Sequence, residues 1–253
     1  MKIEILGCSG GIGPGLKTTT FLIDDTLLLD AGTGVELLTM ERMLNIRDVV
    51  ITHAHLDHII GLPLMLATIF DQHRYPINIY AHPEVITVLE EHIFNWTMWP
   101  DYTRLPENNP IIRMHPVDVG EVLKIQNKAI EVLPAEHPTP TVGYLISDEL
   151  NSFAFTGDTG TNDQLWPLLN QRKPDLLIID VSFTDESDEL ARLSGHLTPS
   201  QLTSQLTQLE HNPRIAVTHL KPGMEESIMQ QCLRLLPHRQ IDRLQQGEVI
   251  TLN

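Results

Sequence analysis

Short runs of apolar residues recur along most of the chain, and longer stretches with a helical repeat lie between them. Runs of four to six residues rich in Val, Ile, Leu and Phe are typical of β-strands. They predict strands at residues 2–6, 20–23, 27–30, 49–52, 77–81, 121–125, 128–133, 142–147, 152–156, 175–180, 214–218 and 248–252. Apolar positions with a helical repeat predict helices at residues 34–45, 57–69, 83–94, 162–171, 198–211 and 224–236.

Strands occur in both halves of the chain, with helices between them. This order favours an α/β fold in which two β-sheets pack together and the helices lie outside them. The 253 residues, of which 42% are hydrophobic, are enough to bury a full core as one large domain. We therefore expect one domain over residues 1–253, and no repeat of fixed period divides it.

The densest cluster of metal-binding residue types lies at residues 52–58, Thr-His-Ala-His-Leu-Asp-His, directly after an apolar run. In an extended chain, side chains two residues apart point the same way, so His53 and His55 can converge on one ion. Asp57 and His58 then face a second position. Imidazole nitrogen and carboxylate oxygen bind zinc and similar divalent cations, so this loop predicts ligands for two metal ions.

Further candidate ligands follow other strand-like runs. His137 follows residues 130–133, Asp158 follows 153–157, and His219 follows 215–218. A site at one edge of a sheet requires ligands at strand ends such as these. One more histidine, His196, directly precedes a marked helix start, Thr198-Pro199-Ser200-Gln201, whose spacing predicts a capping box.

The glycine-rich segment Gly7–Thr18 does not satisfy either common nucleotide-binding motif. A P-loop requires glycine directly before Lys-Thr, where this chain has Leu16. A dinucleotide fingerprint requires a helix to follow, whereas a β-like run follows here. We interpret the segment as a loop at the edge of the active site or as a tight turn between strands.

Composition limits the partners and the compartment. The net charge of −16 disfavours long nucleic acids, because binding to a polyanion depends on Lys and Arg. No apolar run is long enough for a membrane span, and the amino-terminal residues do not resemble a signal peptide. Two cysteines, Cys8 and Cys232, cannot form a disulfide framework, and we expect both to be small buried residues. A cytoplasmic protein is therefore expected.

The motif Thr-His-Ala-His-Leu-Asp-His, followed by His137, Gly157-Asp158-Thr159 and Thr218-His219, resembles the metallo-β-lactamase superfamily of binuclear hydrolases. This resemblance implies an αββα sandwich of two mixed sheets flanked by helices. It places His53, His55 and His137 on one ion and Asp57, His58 and His219 on the other, with Asp158 bridging. It also implies that Asp30 orients a ligand imidazole, and that the ions are two divalent metals, Zn²⁺ with Mn²⁺ or Fe²⁺ as alternatives.

Four longer segments resemble the class II 3′,5′-cyclic-nucleotide phosphodiesterases of this superfamily. They are the stretch from His53 to Leu62, Phe94-Asn95-Trp96 together with Trp99-Pro100-Asp101, Ser194–Pro199 and Thr218–Pro222. The resemblance implies hydrolysis of a small anionic phosphodiester, most readily 3′,5′-cyclic AMP to 5′-AMP, by a water bridging the two metals. It also implies Asp57 and His196 as catalytic residues, with His196 as the general acid, and a homodimer.

Alternative functions on the same scaffold differ in how well the sequence fits them. True zinc β-lactamases have a cysteine at the position of Asp158, which argues against that activity. A tRNase Z-like nuclease shares the ligands, but its substrate arm is basic and glycine-rich, whereas residues 62–110 contain only Arg74 and Arg104 and no glycine. An arylsulfatase and a non-catalytic metal-binding protein remain open.

Two weaker signals concern substrate contacts. Lys221 follows His219 by two residues, where it would contact a phosphate oxygen or lie in solvent. Seven of the 13 aromatic residues fall between Phe70 and Tyr102, where one would stack on a nucleobase or all would pack in a core or dimer contact. The remaining histidines match no ligand position, and we expect them to be ordinary core or surface residues: His73, His82, His92, His115, His211 and His238.

Overall fold

Fourteen strands form the framework of the computed structural model, which describes residues 1–253. In chain order they are β1 (Lys2–Gly7), β2 (Thr20–Ile23), β3 (Leu27–Leu29), β4 (Asp48–Val50), β5 (Ile77–Ala81), β6 (Ile112–Pro116), β7 (Val122–Ile125), β8 (Lys128–Pro134), β9 (Val142–Ser147), β10 (Ser152–Phe155), β11 (Leu176–Asp180), β12 (Arg214–Thr218), β13 (Ile241–Arg243) and β14 (Val249–Thr251).

The strands form two mixed sheets of seven strands each. The first has the order β14-β1-β2-β3-β4-β5-β6, and the second has the order β13-β12-β11-β10-β9-β8-β7. Each sheet joins an antiparallel part to a parallel part: β3, β4, β5 and β6 run parallel in the first sheet, and β10, β11, β12 and β13 in the second. Helices cover the outer faces, so the predicted αββα sandwich is confirmed.

Eight α-helices accompany the sheets. They are α1 (Met40–Asn45), α2 (Leu56–Ile59), α3 (Gly61–Ile69), α4 (Pro83–Val88), α5 (Leu165–Arg172), α6 (Asp188–Ser194), α7 (Pro199–Gln205) and α8 (Glu225–Leu235). Short 3₁₀ turns at Thr33–Leu37, Asp185–Ser187 and Leu206–Gln208 and a π turn at Leu89–Ile93 complete the helical structure. None of these helices combines the length and the apolar character needed to cross a bilayer.

Several predicted elements differ from the structure. The helix predicted at 34–45 is wrong as one element, because Leu38 and Thr39 are extended and Thr39 caps α1 by accepting a hydrogen bond from the Arg42 amide. The helix predicted at 57–69 is nearly continuous, since Ile60 between α2 and α3 keeps helical dihedrals. Strands β6 and β13 and helix α6 were not predicted. Each of these two strands lies at the edge of its sheet, beside a parallel neighbour, and carries polar residues. The apolar pattern that predicts a strand is therefore weak there.

Three apolar clusters occupy the layers of the sandwich. The central one lies between the sheets and includes Phe21, Tyr144 and Phe155, whereas the outer two pack the sheets against their helices, as Leu62 and Trp166 illustrate. The Tyr144 hydroxyl is fully buried and donates to the Ile51 carbonyl at 2.9 Å. This bond ties the second sheet to the chain just before the histidine-rich loop.

Candidate metal centre

The predicted ligands lie at one edge of the sandwich, beyond the carboxyl ends of parallel strands. Strand β4 leads into His53, β10 into Asp158 and β12 into His219. Loops after such strand ends are where open α/β sheets build their sites. His137 comes from the loop between β8 and β9, and the Val142 amide in that hairpin donates to the Thr52 carbonyl at 3.0 Å. Both sheets therefore contribute to one edge.

Three overlapping groups of ligand atoms form there: two contain the predicted ligands, which we call the first and second clusters, and the third joins Asp158 and His219 to His196. In the first, His53, His55, His137 and Asp158 place one nitrogen or oxygen each within 4.8 Å of one another. His137 Nε2 lies 3.4 Å from His55 Nδ1, and His53 Nε2 lies 3.7 Å from Asp158 Oδ2. The first cluster thus contains the three histidines predicted for one ion.

The second cluster consists of Asp57, His58 and His219. Asp158 lies between the clusters: its Oδ1 is 3.4 Å from His58 Nε2 and its Oδ2 is 3.3 Å from His219 Nε2. All seven predicted ligands are therefore brought together, and the Asp158 carboxylate reaches both groups.

Unpaired buried atoms provide a test of whether metal ions fit this site. His53 Nε2, His58 Nε2 and Asp158 Oδ1 are buried and have no hydrogen-bond partner. Leaving such polar atoms unpaired is costly, and native structures rarely do so without a ligand or ion. Imidazole nitrogens and carboxylate oxygens that converge in this way match the donor set of a divalent metal. The residues therefore fit the two ions that the resemblance implies.

A carboxylate and a hydroxyl orient the rings of His53 and His58 through hydrogen bonds to their Nδ1 atoms. Asp30 is fully buried and accepts from the Thr52 amide, the Thr52 hydroxyl and His58 Nδ1, each at 2.8 Å. The Thr52 oxygen also lies 3.0 Å from His53 Nδ1. Because the Thr52 proton goes to Asp30, His53 donates to the Thr52 oxygen. Both rings are thus protonated at Nδ1, which directs the Nε2 lone pairs to the clusters.

A second carboxylate and hydroxyl repeat this arrangement at the other side of the site, and we did not predict either from the sequence. Asp180, fully buried at the end of β11, accepts from Ser182 Oγ at 2.6 Å and from His196 Nδ1 at 2.7 Å. The Ser182 oxygen lies 2.9 Å from His219 Nδ1. Asp180 therefore holds His196 directly and the predicted ligand His219 through the hydroxyl of Ser182.

The residues that follow helix α6 position His137 and His196. The helix is capped by Gly195, which has a left-handed φ of 69°, and His196 is the next residue. The Gly195 carbonyl accepts from His137 Nδ1 at 2.9 Å. A Cβ at Gly195 would lie 2.4 Å from Pro138 Cδ and 2.9 Å from His137 Nδ1, so only glycine fits here. The capping box predicted at Thr198 and Gln201 is present in α7.

The glycine-rich segment is a loop at the edge of the site, as one of our two interpretations held. The His219 amide donates to the Cys8 carbonyl at 2.9 Å, and the Gly10 amide donates to the Leu220 carbonyl at 3.0 Å. Lys221 Nζ donates to the Gly10 carbonyl at 3.0 Å. Lys221 is thus bound to this loop and is not free in solvent. Cys8 is only partly buried, which corrects one cysteine prediction, whereas Cys232 is buried.

Burial and neighbouring charges shift the pKa values of residues in the two clusters. Burial opposes ionisation of Asp158, but the adjacent His219 and His58 hold its pKa well below the ordinary range. Burial likewise favours the neutral form of His53 and lowers its pKa well below normal. The pKa of His58 is raised despite burial, because Asp158 and Asp30 flank it. Without an ion the raised pKa favours the protonated His58 ring, and a metal bound at His58 Nε2 would replace that proton, whereas His53 and Asp158 already favour the forms that bind metal.

His196 has a different environment. Burial alone would lower its pKa, but the Asp180 carboxylate raises the pKa above the ordinary value. Its ring stacks on that of His219, with the centroids 5.1 Å apart. His196 and His137 together line a polar cavity of about 350 Å³ beside the clusters. Its Nδ1 bonds to Asp180, so the free ring nitrogen is Nε2.

Comparison with known proteins gives a consistent picture. Residues 25–220 match the model of the "Beta-lactamase superfamily domain". The chain is 29% identical to a 3′,5′-cyclic-nucleotide phosphodiesterase of Aliivibrio fischeri, over 88% of this chain and 82% of the relative. It is 28% identical to a probable 3′,5′-cyclic-nucleotide phosphodiesterase of Yersinia pestis, over 97% of this chain and 84% of the relative.

Solved structures of similar fold include unliganded yeast PDE1, with a TM-score of 0.85 and 20% identity over 99% of both chains. The metallo-beta-lactamase fold protein YhfI from Bacillus subtilis has a TM-score of 0.80 and 19% identity over 99% of both chains. At these identities the likeness shows the fold alone.

Proposed function

Since the chain belongs to the beta-lactamase superfamily, a superfamily of hydrolases, we propose that it is a two-metal phosphodiesterase of small cyclic nucleotides. The substrate that we propose is 3′,5′-cyclic AMP, which would be converted to 5′-AMP. The observation that carries the proposal is the pair of ligand clusters joined by Asp158, with the Asp180-bound His196 beside them. The relatives named as cyclic-nucleotide phosphodiesterases support it along most of the chain.

The metal ions would be held by the two clusters, His53, His55 and His137 on one side and Asp57, His58 and His219 on the other, with Asp158 shared. Two divalent ions bound there would lower the pKa of an attacking water and neutralise the phosphoryl oxygens. Zn²⁺ is the ion that we propose, and Mn²⁺ and Fe²⁺ suit the same donors.

The chain itself supplies orientation and a proton. Asp57 Oδ2 lies 3.2 Å from His219 Nε2, and the Asp57 side chain is 30% exposed. Asp57 would therefore act both as a metal ligand and as a hydrogen-bond acceptor for water that enters the site. The Asp180 bond keeps a proton on His196 Nδ1 and favours the charged ring. His196 Nε2 is then available to donate a proton to the leaving oxygen as general acid.

The acidity of the chain supports a small substrate. A net charge of −16 repels a long polyanion, whereas a single phosphodiester needs only the local positive charge of the metal site. This favours a cyclic nucleotide over a tRNA precursor. Ribonuclease Z sequences are also among the relatives, and the one from Methanosarcina mazei matches 57% of this chain.

The test is an assay of the metal-loaded protein with cyclic AMP, cyclic GMP and an aryl sulfate in parallel, with products separated by chromatography. We expect release of the 5′-nucleotide alone, abolished by a chelator and restored by added metal. Sulfate release with both cyclic nucleotides intact would replace the proposal with an arylsulfatase. No turnover of any substrate by protein with a full metal complement would favour a non-catalytic metal-binding protein.

A further inference from the structure

A second cavity, which we name the α4 cavity, adjoins the first metal cluster through His55 and is not lined by His196. It has a volume of about 460 Å³, and four of its lining residues are Ala54, Val85, Val88 and Pro140. We propose that it binds the nucleobase of the substrate, and that Glu84 at its wall contacts the exocyclic amino group of a purine. This inference rests on the proposed function, because it names the part of the substrate that the metals do not bind.

The position of the α4 cavity suits a group attached to a phosphate at the clusters. His55, a predicted ligand, lines both the first cluster and this cavity. On one side, α4 starts two residues after the carboxyl end of β5, the strand next to β4. On the other side, Thr139 and Pro140 follow His137 in the chain. The cavity is therefore walled by α4 and by the two chain segments that follow His53 and His137.

The chemistry of the walls suits a flat apolar ring. Val85 and Val88 are three residues apart and share one face of α4. Ala54 and Pro140 add apolar groups to the same cavity. A volume of this size falls within the usual range for small-ligand sites, roughly 300–1,000 Å³. None of the seven aromatic residues between Phe70 and Tyr102 lines the cavity, so aliphatic groups and the His55 ring would contact the base in place of a stacked aromatic side chain.

One polar group at the wall supplies direction. Glu84 lines the cavity, its side chain is exposed, and its carboxylate makes no ion pair or side-chain hydrogen bond within the protein. A carboxylate only accepts hydrogen bonds, so it would contact an amino group and repel a phosphate. The substrate would therefore bind with its phosphate at the metals and its base in the α4 cavity.

The experiment compares Glu84→Gln and Val88→Phe with the parent protein, after cyclic AMP turnover by the parent has been measured. Glu90→Gln is the matched control, because Glu90 is exposed and lies outside the cavity. The substrates are cyclic AMP, the 3′,5′-cyclic phosphate of unsubstituted purine riboside, which lacks the amino group, and methyl p-nitrophenyl phosphate, which has no base. Metal content is measured for every variant.

We expect Val88→Phe to raise KM about tenfold for both cyclic nucleotides and to leave methyl p-nitrophenyl phosphate hydrolysis unchanged. Glu84→Gln should raise KM severalfold for cyclic AMP alone, and Glu90→Gln should change nothing. An unchanged cyclic AMP KM in both variants, or equal losses on all three substrates in both, would overturn the base site while leaving the proposed function intact. Absence of cyclic AMP turnover in the metal-loaded parent would instead refute the proposed function and this inference with it.

Discussion

Replacing Asp180 with asparagine isolates the role of the carboxylate behind His196. The side chain is fully buried and accepts from Ser182 Oγ, His196 Nδ1 and the Thr159 amide, at 2.6, 2.7 and 3.1 Å. Asparagine has nearly the same shape. Its oxygen can keep the bonds from His196 and Thr159, and its amide can donate to the Ser182 oxygen. The variant therefore loses charge without losing volume.

The expected cost follows from that loss of charge. Hydrogen bonds to a charged group contribute about 1.5–3 kcal/mol and neutral ones about 0.5–1.5 kcal/mol, so Asp180→Asn should lower the free energy of unfolding by ~1–2 kcal/mol. For a domain of this size each kcal/mol lowers Tm by about 2–4 °C. Without the carboxylate, the protonated His196 ring is less stable. General acid catalysis typically contributes about 10²–10⁴-fold, and we expect kcat to fall about 100-fold.

The assays are cyclic AMP hydrolysis at saturating substrate, thermal unfolding and metal content. His196→Ala serves as a reference that should lose at least as much rate while keeping its metal, and Asp71→Asn, at an exposed carboxylate, serves as the control for a lost surface charge. Full kcat in metal-loaded Asp180→Asn would refute the proton-donor role assigned to this pair. So would full activity in metal-loaded His196→Ala.

Three further substitutions test other parts of the structure. Asp158→Ala should lose metal and activity together, as measured by elemental analysis and turnover, because its carboxylate reaches both clusters; retained metal would contradict this role. Gly195→Ala should lower activity at least about tenfold, because the new Cβ would lie 2.9 Å from His137 Nδ1; wild-type kinetics would show that the loop adapts. Asp24 has a pKa lowered by Lys128 despite opposing burial, so its contribution to stability is present above its unfolded pKa and lost as pH falls through the folded value. Because about a third of the Asp24 side chain is exposed and solvent screens the pair, Asp24→Asn should reduce stability at neutral pH by about 1 kcal/mol. It should also reduce the loss of stability on acidification; an unchanged loss would contradict the ion pair.

The residues of the two clusters were predictable because they are locally dense or follow strong apolar strands. His53, His55, Asp57 and His58 fall within six residues, and chance rarely produces such a cluster. The sheets were predictable for a related reason: their central strands are buried on both faces and appear as continuous apolar runs.

Asp180 and Ser182 were missed because each resembles an ordinary residue at the end of a strand. A signal was nevertheless present. Asp30 closes the apolar run of β3 and Asp180 closes the apolar run of β11, and a carboxylate directly after a buried strand requires partners when it is itself buried. The sequence does not show which imidazole each carboxylate meets, because the contact joins residues 16 and 28 positions apart through the folding of the loops.

The break in the helix predicted at 34–45 has a local cause. Residues 33–45 have a helical apolar repeat, but the Thr39 hydroxyl competes for the Arg42 amide and starts a new helix. The α4 cavity could not be predicted, since its walls come from α4, the loop after β4 and the loop after His137, which meet only in the folded chain. Patterns thus predict the elements and their strand-end chemistry, whereas spaces between elements require the structure.

The central claim is that two metal ions bound by these clusters make the chain a cyclic-nucleotide phosphodiesterase. The most direct test is to strip the protein of metal and titrate Zn²⁺ or Mn²⁺ back while bound metal and 5′-AMP formation from cyclic AMP are measured in the same samples. We predict no activity without metal and a rise that is complete near two equivalents per chain. Undiminished cyclic AMP hydrolysis by the metal-free protein, or two equivalents bound with cyclic AMP left intact, would contradict the account.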